Sequence, residues 1–291
     1  MKHSPNVEST PELALNRASV LYEAILGRPI DEGARNALAG QTGKQDDNGF
    51  HLAMQLLYSS EFMETLLARV VDAHLYLIHH ARQIMVRRLL PPAASIIDLG
   101  GINAPLFRMG YPHSFGRMVI VDLPADERHG MYRELRFEAP PGSGEVAIHY
   151  CDMTLLEDFA DSSFDLVWSG QSIEHVEPQA AARMCREALR VLRPGGHFCL
   201  DTPNRAVTAI HTKDVGGGFI HPDHKREYRA TELRGLLLAT GFEIAVERGI
   251  CEMPWTRATG VFHYEDFALG NAITSDPEEG YILFYQCRKP A

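Results

Sequence analysis

Four segments in fixed order constrain this chain more than anything else in it. They are Ser95–Gly101 (SIIDLGG), Met118–Asp122 (MVIVD), Ser163–Ser169 (SFDLVWS) and Glu187–Phe198 (EALRVLRPGGHF). The strand-like runs are apolar and close on an acidic, glycine or small polar residue, and helical sequence follows them. Continuous apolar strands alternating with helices specify a parallel sheet with crossover connections. In an open α/β sheet, ligands bind beyond the carboxyl ends of the strands. The chain therefore places polar groups where such a sheet holds a nucleoside cofactor. Strands are expected near 95–99, 117–122, 145–150, 164–169, 196–201, 242–249 and 280–287. Residues 203–229 and 250–279 break the alternation and read as insertions above the strand ends, where substrate pockets are usually built.

Ahead of this lies sequence of a different kind. Residues 1–10 read as a disordered tail, and 11–90 as a helical module. Leu13, Ala14, Val20, Leu21, Ala24 and Ile25 recur at three- and four-residue spacing. Gly27-Arg28-Pro29 ends that helix, Asp31-Glu32-Gly33 begins another, and 41–49 reads as a loop. A long linking helix is expected from about Glu61 to Leu90, stopped by Pro91-Pro92, with Arg87-Arg88 suiting its C-terminal dipole and His79-His80 facing solvent. The net charge is −10, and residues 1–90 hold nine Lys/Arg against ten Asp/Glu, so most of the excess acid lies in 91–291. That balance excludes a large nucleic-acid footprint, which needs a basic stripe. The five cysteines are scattered, with no Cys-x-x-Cys pair, and read as buried free thiols rather than a disulfide framework. No run is long and apolar enough to predict a membrane span, and Met1–Pro5 lacks a signal-peptide core. A cytoplasmic location is expected.

In order and spacing, the four segments resemble the class I (Rossmann-like) S-adenosylmethionine-dependent methyltransferases, of the type-11 kind, over roughly residues 90 to 250. The resemblance implies a seven-stranded sheet with helices on both faces, with residues 91–291 as the catalytic domain and the final strand antiparallel. It implies S-adenosylmethionine as cofactor and S-adenosylhomocysteine as product. Asp98, Gly100, Gly101 and Asn103 would receive the donor's methionine end, helped by the N–H groups of a helix starting near Asn103 or Ala104. The family's usual Asp-x-Gly-x-Gly stands here as Asp98-Leu99-Gly100-Gly101-Ile102, with Ile102 in place of the second glycine and Pro105 close behind. Asp122, with Leu123 beside it, would hold the ribose; its other reading is a helix N-cap. Asp152 and Met153 would hold and cover adenine, and Ser169 and Gln171 would line the methyl-donor pocket. Arg193-Pro194-Gly195-Gly196 matches the family's tight turn before the fifth strand. Separately, Leu21–Gly33 with Leu57–Phe62 resembles a bacterial helical module of unknown function found beside glycan-handling enzymes. Such helices offer a surface for docking or for a homodimer.

Methyl transfer to oxygen or nitrogen gains from a base, and histidine titrates near neutrality. His175, just past the fourth strand, is the first candidate, with His221 and His224 in the first insertion assisting. Each also reads as a loop or cap residue. Similar His-rich text after a phrase like Asp201-Thr202-Pro203-Asn204-Arg205 occurs in methyltransferases of bacterial polysaccharide and sugar pathways, which implies a glycan or small-molecule hydroxyl as acceptor. Some relatives bind a divalent metal through Glu-x-x-Glu-His. Here the first position is Gln171, a poorer ligand for a hard cation, so a metal site from Glu174, His175 and His221 is the less favoured expectation. A further alternative is a scaffold protein with a decayed cofactor pocket, motivated by Ile102 and Pro105. Trp255, Phe262 and Tyr264 either stack on an acceptor or fill the core of a lid.

Overall fold

The computed structural model describes residues 18–19, 21–22, 30–39, 52, 55–56, 59, 70–128, 144–213 and 216–291. The tail expected at 1–10, the loop at 41–49 and most of the helical module lie outside these residues. The chain divides into two compact units, Met1–Leu75 and Tyr76–Ala291. In the first, helix α1 spans Glu32–Ala39, and Asp31 starts it by accepting the Ala34 N–H through its carboxylate at 2.8 Å. Helix α2, Val70–Leu89, leads into the second unit and carries Arg87 and Arg88 in its last turn, where cations complement the free carbonyls. Pro91 and Pro92 follow it.

The second unit is built on strands β1 (Ser95–Leu99), β2 (Arg117–Asp122), β3 (Glu145–Tyr150), β4 (Phe164–Gly170), β5 (Leu192–Pro203), β6 (Glu243–Glu252), β7 (Ile273–Thr274) and β8 (Gly280–Arg288). Their order across the sheet is β3-β2-β1-β4-β5-β8-β6-β7. The pairs from β3 through β5 are parallel; β8 runs antiparallel between β5 and β6. The α/β class and the antiparallel final strand are as expected. Among the described residues the sheet has eight strands rather than seven, because Ile273–Thr274, inside the second insertion, pairs with Gly249–Ile250 at the edge of β6.

Alternation along each buried strand feeds two cores. Ile97, Leu99 and Val167 face one side, together with Ala181, Met184, Cys185, Ala188 and Val191 of α3 (Pro178–Val191) and Leu233 and Leu237 of α5 (Ala230–Thr240). Ile96, Leu166 and Trp168 face the other, against Met85 and Val86 of α2 and Val207 of α4 (Arg205–His211). Every residue of β1 is buried, as a central parallel strand requires. Pro178 sits in the first turn of α3, where its missing N–H costs nothing, and Gly241 ends α5 in the left-handed conformation at φ 106°.

The second insertion packs on itself. Between α6 (Pro254–Thr259) and α7 (Asp266–Leu269), Phe262 stacks on His211 with ring centroids 3.8 Å apart. Tyr264 and Tyr281 hydroxyls lie 2.9 and 2.8 Å from the two nitrogens of the same imidazole. Phe262 is thus partly buried in this cluster, while Tyr264 and Trp255 stay 44% and 50% exposed. The cysteines are free thiols, four buried and Cys151 partly so. Among the described residues no helix is long and apolar enough to cross a membrane.

Candidate active site

The turn after β1 is shaped by what two glycines leave out. Gly100 has φ +73°, and a β-carbon there would sit 2.6 Å from Ser172 Oγ and 3.7 Å from Met153 Sδ. At Gly101 it would lie 2.2 Å from the Asp98 carboxylate. The backbone is thereby pressed between the ends of β1, β3 and β4. Gly100 N–H donates to Val121 O at 2.8 Å, and Ser172 Oγ donates to Leu99 O at 2.8 Å, which locks the turn to β2 and β4.

The expected helix start at Asn103 or Ala104 is absent. Residues 100–110 form successive turns, with one helical step where Met109 N–H donates to Pro105 O. Pro105 and the buried Ile102 account for this: the ring bars a regular ladder through that point, and Ile102, 3% exposed, is drawn into the core. The free N–H groups of a helix end are replaced by a carboxylate clamp. Asp98 Oδ2 accepts the Leu106 N–H at 2.8 Å. Burial drives the Asp98 pKa up to about 7 against that hydrogen bond, which pulls the other way.

The other strand ends converge on this turn. Asp122 accepts N–H groups of Leu123 at 2.8 Å and Ile102 at 3.2 Å, and burial raises its pKa. Asp152 is exposed and accepts the Thr154 N–H at 2.8 Å, so it closes a turn of its own while Met153 covers Gly100. Asn103 is exposed and Leu123 is 37% exposed, both at the mouth. Asp98 Oδ1 and Ser169 Oγ are buried without a hydrogen-bond partner. A cradle that a β-carbon would fill, with unsatisfied polar atoms in its walls, fits a polar nucleoside donor.

Gln171 takes a left-handed backbone, φ 56°, which a residue with a β-carbon adopts at a cost. Its N–H donates to the carbonyl of Asp201 at 2.9 Å and lies 3.0 Å from Asp201 Oδ1. Asp201 is fully buried at the end of β5 and forms a two-pronged pair with Arg82 of α2, at 2.6 and 3.0 Å. Nothing in the sequence marked Arg82, a lone arginine in a helical stretch. Its neighbour His79, expected to face solvent, is partly buried and has its pKa lowered by burial and by Arg82; His80 is exposed.

Past Gln171 the chain makes a short 3-10 turn, Ile173–His175, and here the histidines meet. Ring centroids of His175 and His224 are 4.9 Å apart, His221 and His224 5.3 Å, and His175 and His221 5.8 Å. One nitrogen from each lies within 4.8 Å of the others. His175 has its pKa lowered to about 4 by burial first and then by the neighbouring His224 and His221, while a hydrogen bond to the Asp223 backbone opposes this. It is neutral at pH 7. His224 lies with Nδ1 2.8 Å from Glu227 Oε1. Glu227 is fully buried and also accepts from Ile220 N–H at 2.8 Å and from the Thr208 hydroxyl. Burial opposes its ionisation, yet the hydrogen bonds from His224, Thr208 and Ile220 together hold its pKa below the ordinary value. The sequence signal for this pair is a carboxylate, Glu227, three residues after a histidine, His224.

Glu174 does not join the imidazoles. Its side chain is buried behind them, accepts the Thr202 hydroxyl at 2.9 Å, and has its pKa raised to about 7 by burial. Its backbone carbonyl accepts the N–H groups of Lys225 and Arg226 at 2.7 and 3.1 Å. A continuous set of contacts thus runs from the Gly100 turn through Ser172 and Glu174 to the loop bearing His224. A separate cleft of about 760 Å³, lined by Pro92, Asp165, Arg193 and Gly195 among others, opens at the amino ends of the same strands. The groups just described do not line it.

Residues 104–200 match the family described as "Methyltransferase domain". A Mycolicibacterium smegmatis protein named as a probable S-adenosylmethionine-dependent methyltransferase is 42% identical over 90 residues, 31% of this chain and 33% of that one. The chain spans about a third of the length of the first curated relatives it matches. The 27-O-demethylrifamycin SV methyltransferase of Amycolatopsis mediterranei is 26% identical, over 67% of this chain and 77% of that one. Among solved structures, an S-adenosylmethionine-dependent methyltransferase of Thermotoga maritima superposes with a TM-score of 0.51 at 18% identity, covering 77% of this chain and 99% of that one, a likeness of fold. The sheet order, the glycine turn and the matched family converge on the same answer. Residues 104–200 thus carry a match to a methyltransferase domain, and the fold around them is like that of the class I, Rossmann-like, S-adenosylmethionine-dependent methyltransferases.

Proposed function

We propose that the protein methylates a hydroxyl oxygen of a small molecule or glycan. The observation that carries this reading is the continuous contact path from the glycine turn to a histidine backed by a buried carboxylate. S-adenosylmethionine, when bound, supplies an activated methyl group, so the protein's own work is alignment and proton removal. Gly100 and Gly101 with Asp98 and Asn103 receive its methionine end; Asp122, beside Leu123, holds the ribose; Asp152 and Met153 take the adenine; Ser169 and Gln171 line the wall. His224 is the residue placed to take the proton: Glu227 accepts its Nδ1–H and leaves Nε2 for the acceptor's hydroxyl. His175, first choice from the sequence, is a weak base at a pKa of about 4 and takes a positioning part with His221. An oxygen acceptor also agrees with the name of the Amycolatopsis relative. The protein is proposed to act in the cytoplasm, with the N-terminal helices as a homodimer surface.

The turns at 100–110 favour a second reading, in which the altered pocket no longer binds donor and the chain serves as a scaffold. Calorimetric titration of S-adenosylmethionine and S-adenosylhomocysteine into the wild type and Asp122→Ala separates the two. Micromolar binding, weakened about tenfold or more by loss of a charged hydrogen-bonding group, supports the enzyme. Folded wild type that binds neither compound, alone or with nucleotide sugars present, supports the scaffold.

A further inference from the structure

We propose that His175, His221 and His224 form a binding site for a divalent transition-metal ion of the zinc type. Three observations meet. The three imidazoles come from two separate segments, the turn after β4 and the loop before α5, and one nitrogen from each already lies within 4.8 Å of the others. Tetrahedral zinc needs nitrogens at about 2.0–2.1 Å from the ion, so small side-chain rotations close the site. Second, Glu227 stands 2.8 Å behind His224 Nδ1 and is itself held by Ile220 N–H, Thr208 and Arg205. A buried carboxylate behind a ligating imidazole fixes the tautomer with the lone pair forward and raises ligand basicity. Third, the donors are all nitrogen. Imidazole suits zinc, copper or nickel, while magnesium prefers oxygen, and the nearby carboxylate of Glu174 is turned to Thr202.

The ligands are not equal. The Asp223 backbone N–H approaches His221 Nδ1 at 3.2 Å. Binding through His221 Nε2 moves that ring's proton to Nδ1 and gives up this long contact, whereas His224 keeps its Nδ1–H on Glu227 when Nε2 binds. His224 is therefore the strongest ligand and His221 the costliest. Three protein ligands leave a fourth position open, the pattern of catalytic rather than structural zinc. Resting on the proposed methyl transfer to oxygen, that position would take the acceptor's hydroxyl oxygen and lower its pKa so that its proton passes to water; His224 would then act as ligand in place of base.

The test is titration of Zn²⁺ into the metal-stripped full chain without donor or acceptor, by competition with a chromophoric chelator. Mg²⁺ serves as comparison, and Co²⁺ reports a tetrahedral site through its visible spectrum. One Zn²⁺ per chain is expected, weakened about 10–100-fold in Glu227→Gln and more in His224→Ala, with Mg²⁺ not bound. His175→Asn and His221→Asn, which keep similar volume, serve if His224→Ala does not fold. Zinc affinity that is unchanged in the folded variants, or no zinc bound by the wild type, overturns the proposal. Donor binding is measured on the same samples, so a chain that binds S-adenosylmethionine but no zinc loses this inference alone.

Discussion

The two halves of the candidate site are made by opposite means. At the ends of β1 to β4 the cradle is made of what is missing: two glycines leave room, and Asp98 Oδ1 and Ser169 Oγ keep hydrogen-bonding capacity unspent. Where the turn after β4 meets the first insertion, the site is made of what is added: three imidazoles in ring contact, and a carboxylate hydrogen-bonded to His224. The donor side should therefore fail when atoms are inserted and the acceptor side when atoms are removed. The Arg82–Asp201 pair serves both, since Asp201 fixes the Gln171 backbone that joins them.

The largest effect is expected at that joint. Arg82→Met leaves Asp201 buried and uncompensated and should cost about 3–5 kcal/mol in urea denaturation, with donor binding and turnover both impaired. A cost within 1 kcal/mol would remove the pair from this role. Next is Gly100→Ala, which adds a left-handed penalty of about 1–2 kcal/mol to the collision with Ser172. Donor affinity should fall about 100-fold or more in calorimetry while an acceptor's affinity holds; equal loss of both would blur the contrast between the halves. Glu227→Gln is the converse case. Turnover should fall about 10–100-fold with the donor's Kd unchanged, because His224 loses the carboxylate that holds its ring.

Smallest and most diagnostic is the pH dependence from Asp98. Its pKa rises from the ordinary carboxylate range to about 7 on folding, so between pH 4 and 7 the native state binds more protons than the unfolded one. Stability from this group is full below about pH 4 and is lost as pH rises through 7, by at most about 1.4 kcal/mol per pH unit. Glu174, whose pKa also rises to about 7, adds a slope of the same sign, so Asp98→Asn should reduce the slope in denaturation curves taken at pH 5, 6 and 7; an unchanged slope would place its origin in Glu174 alone. His175 acts oppositely. Its lowered pKa takes stability away as pH falls from about 6.5 toward 4, which offsets part of the opposite slope from Asp98 and Glu174.

The parallel core was legible because its strands are continuous apolar runs closed by Asp, Gly or Ser, a signal local in sequence. Expected and observed limits agree at Ser95–Leu99, Arg117–Asp122 and Glu145–Tyr150. The meeting of His175 with His221 and His224 was anticipated by placing the insertion above the strand ends. Arg82 was not, because a buried arginine on a helix looks like any surface one until its partner is known. The turn after β1 was misjudged from the family's glycine pattern, since Pro105 and the inward Ile102 override it. β7 escaped because two residues carry no periodicity.

The position of β8 has a bearing on how the sheet assembles during synthesis. β1 to β5 can pair as they emerge, each new strand docking beside one already made. β6 cannot: its long-range partner is β8, which also seals the flank of β5. From the moment Glu252 is made until Gly280 and its successors follow, the growing polypeptide carries an open edge on β5 and an unattached β6, joined by β7 only once Thr274 is made. That interval is when a nascent chain of this protein is most exposed to mispairing with its neighbours on the same messenger, and when a holding chaperone would do the most good.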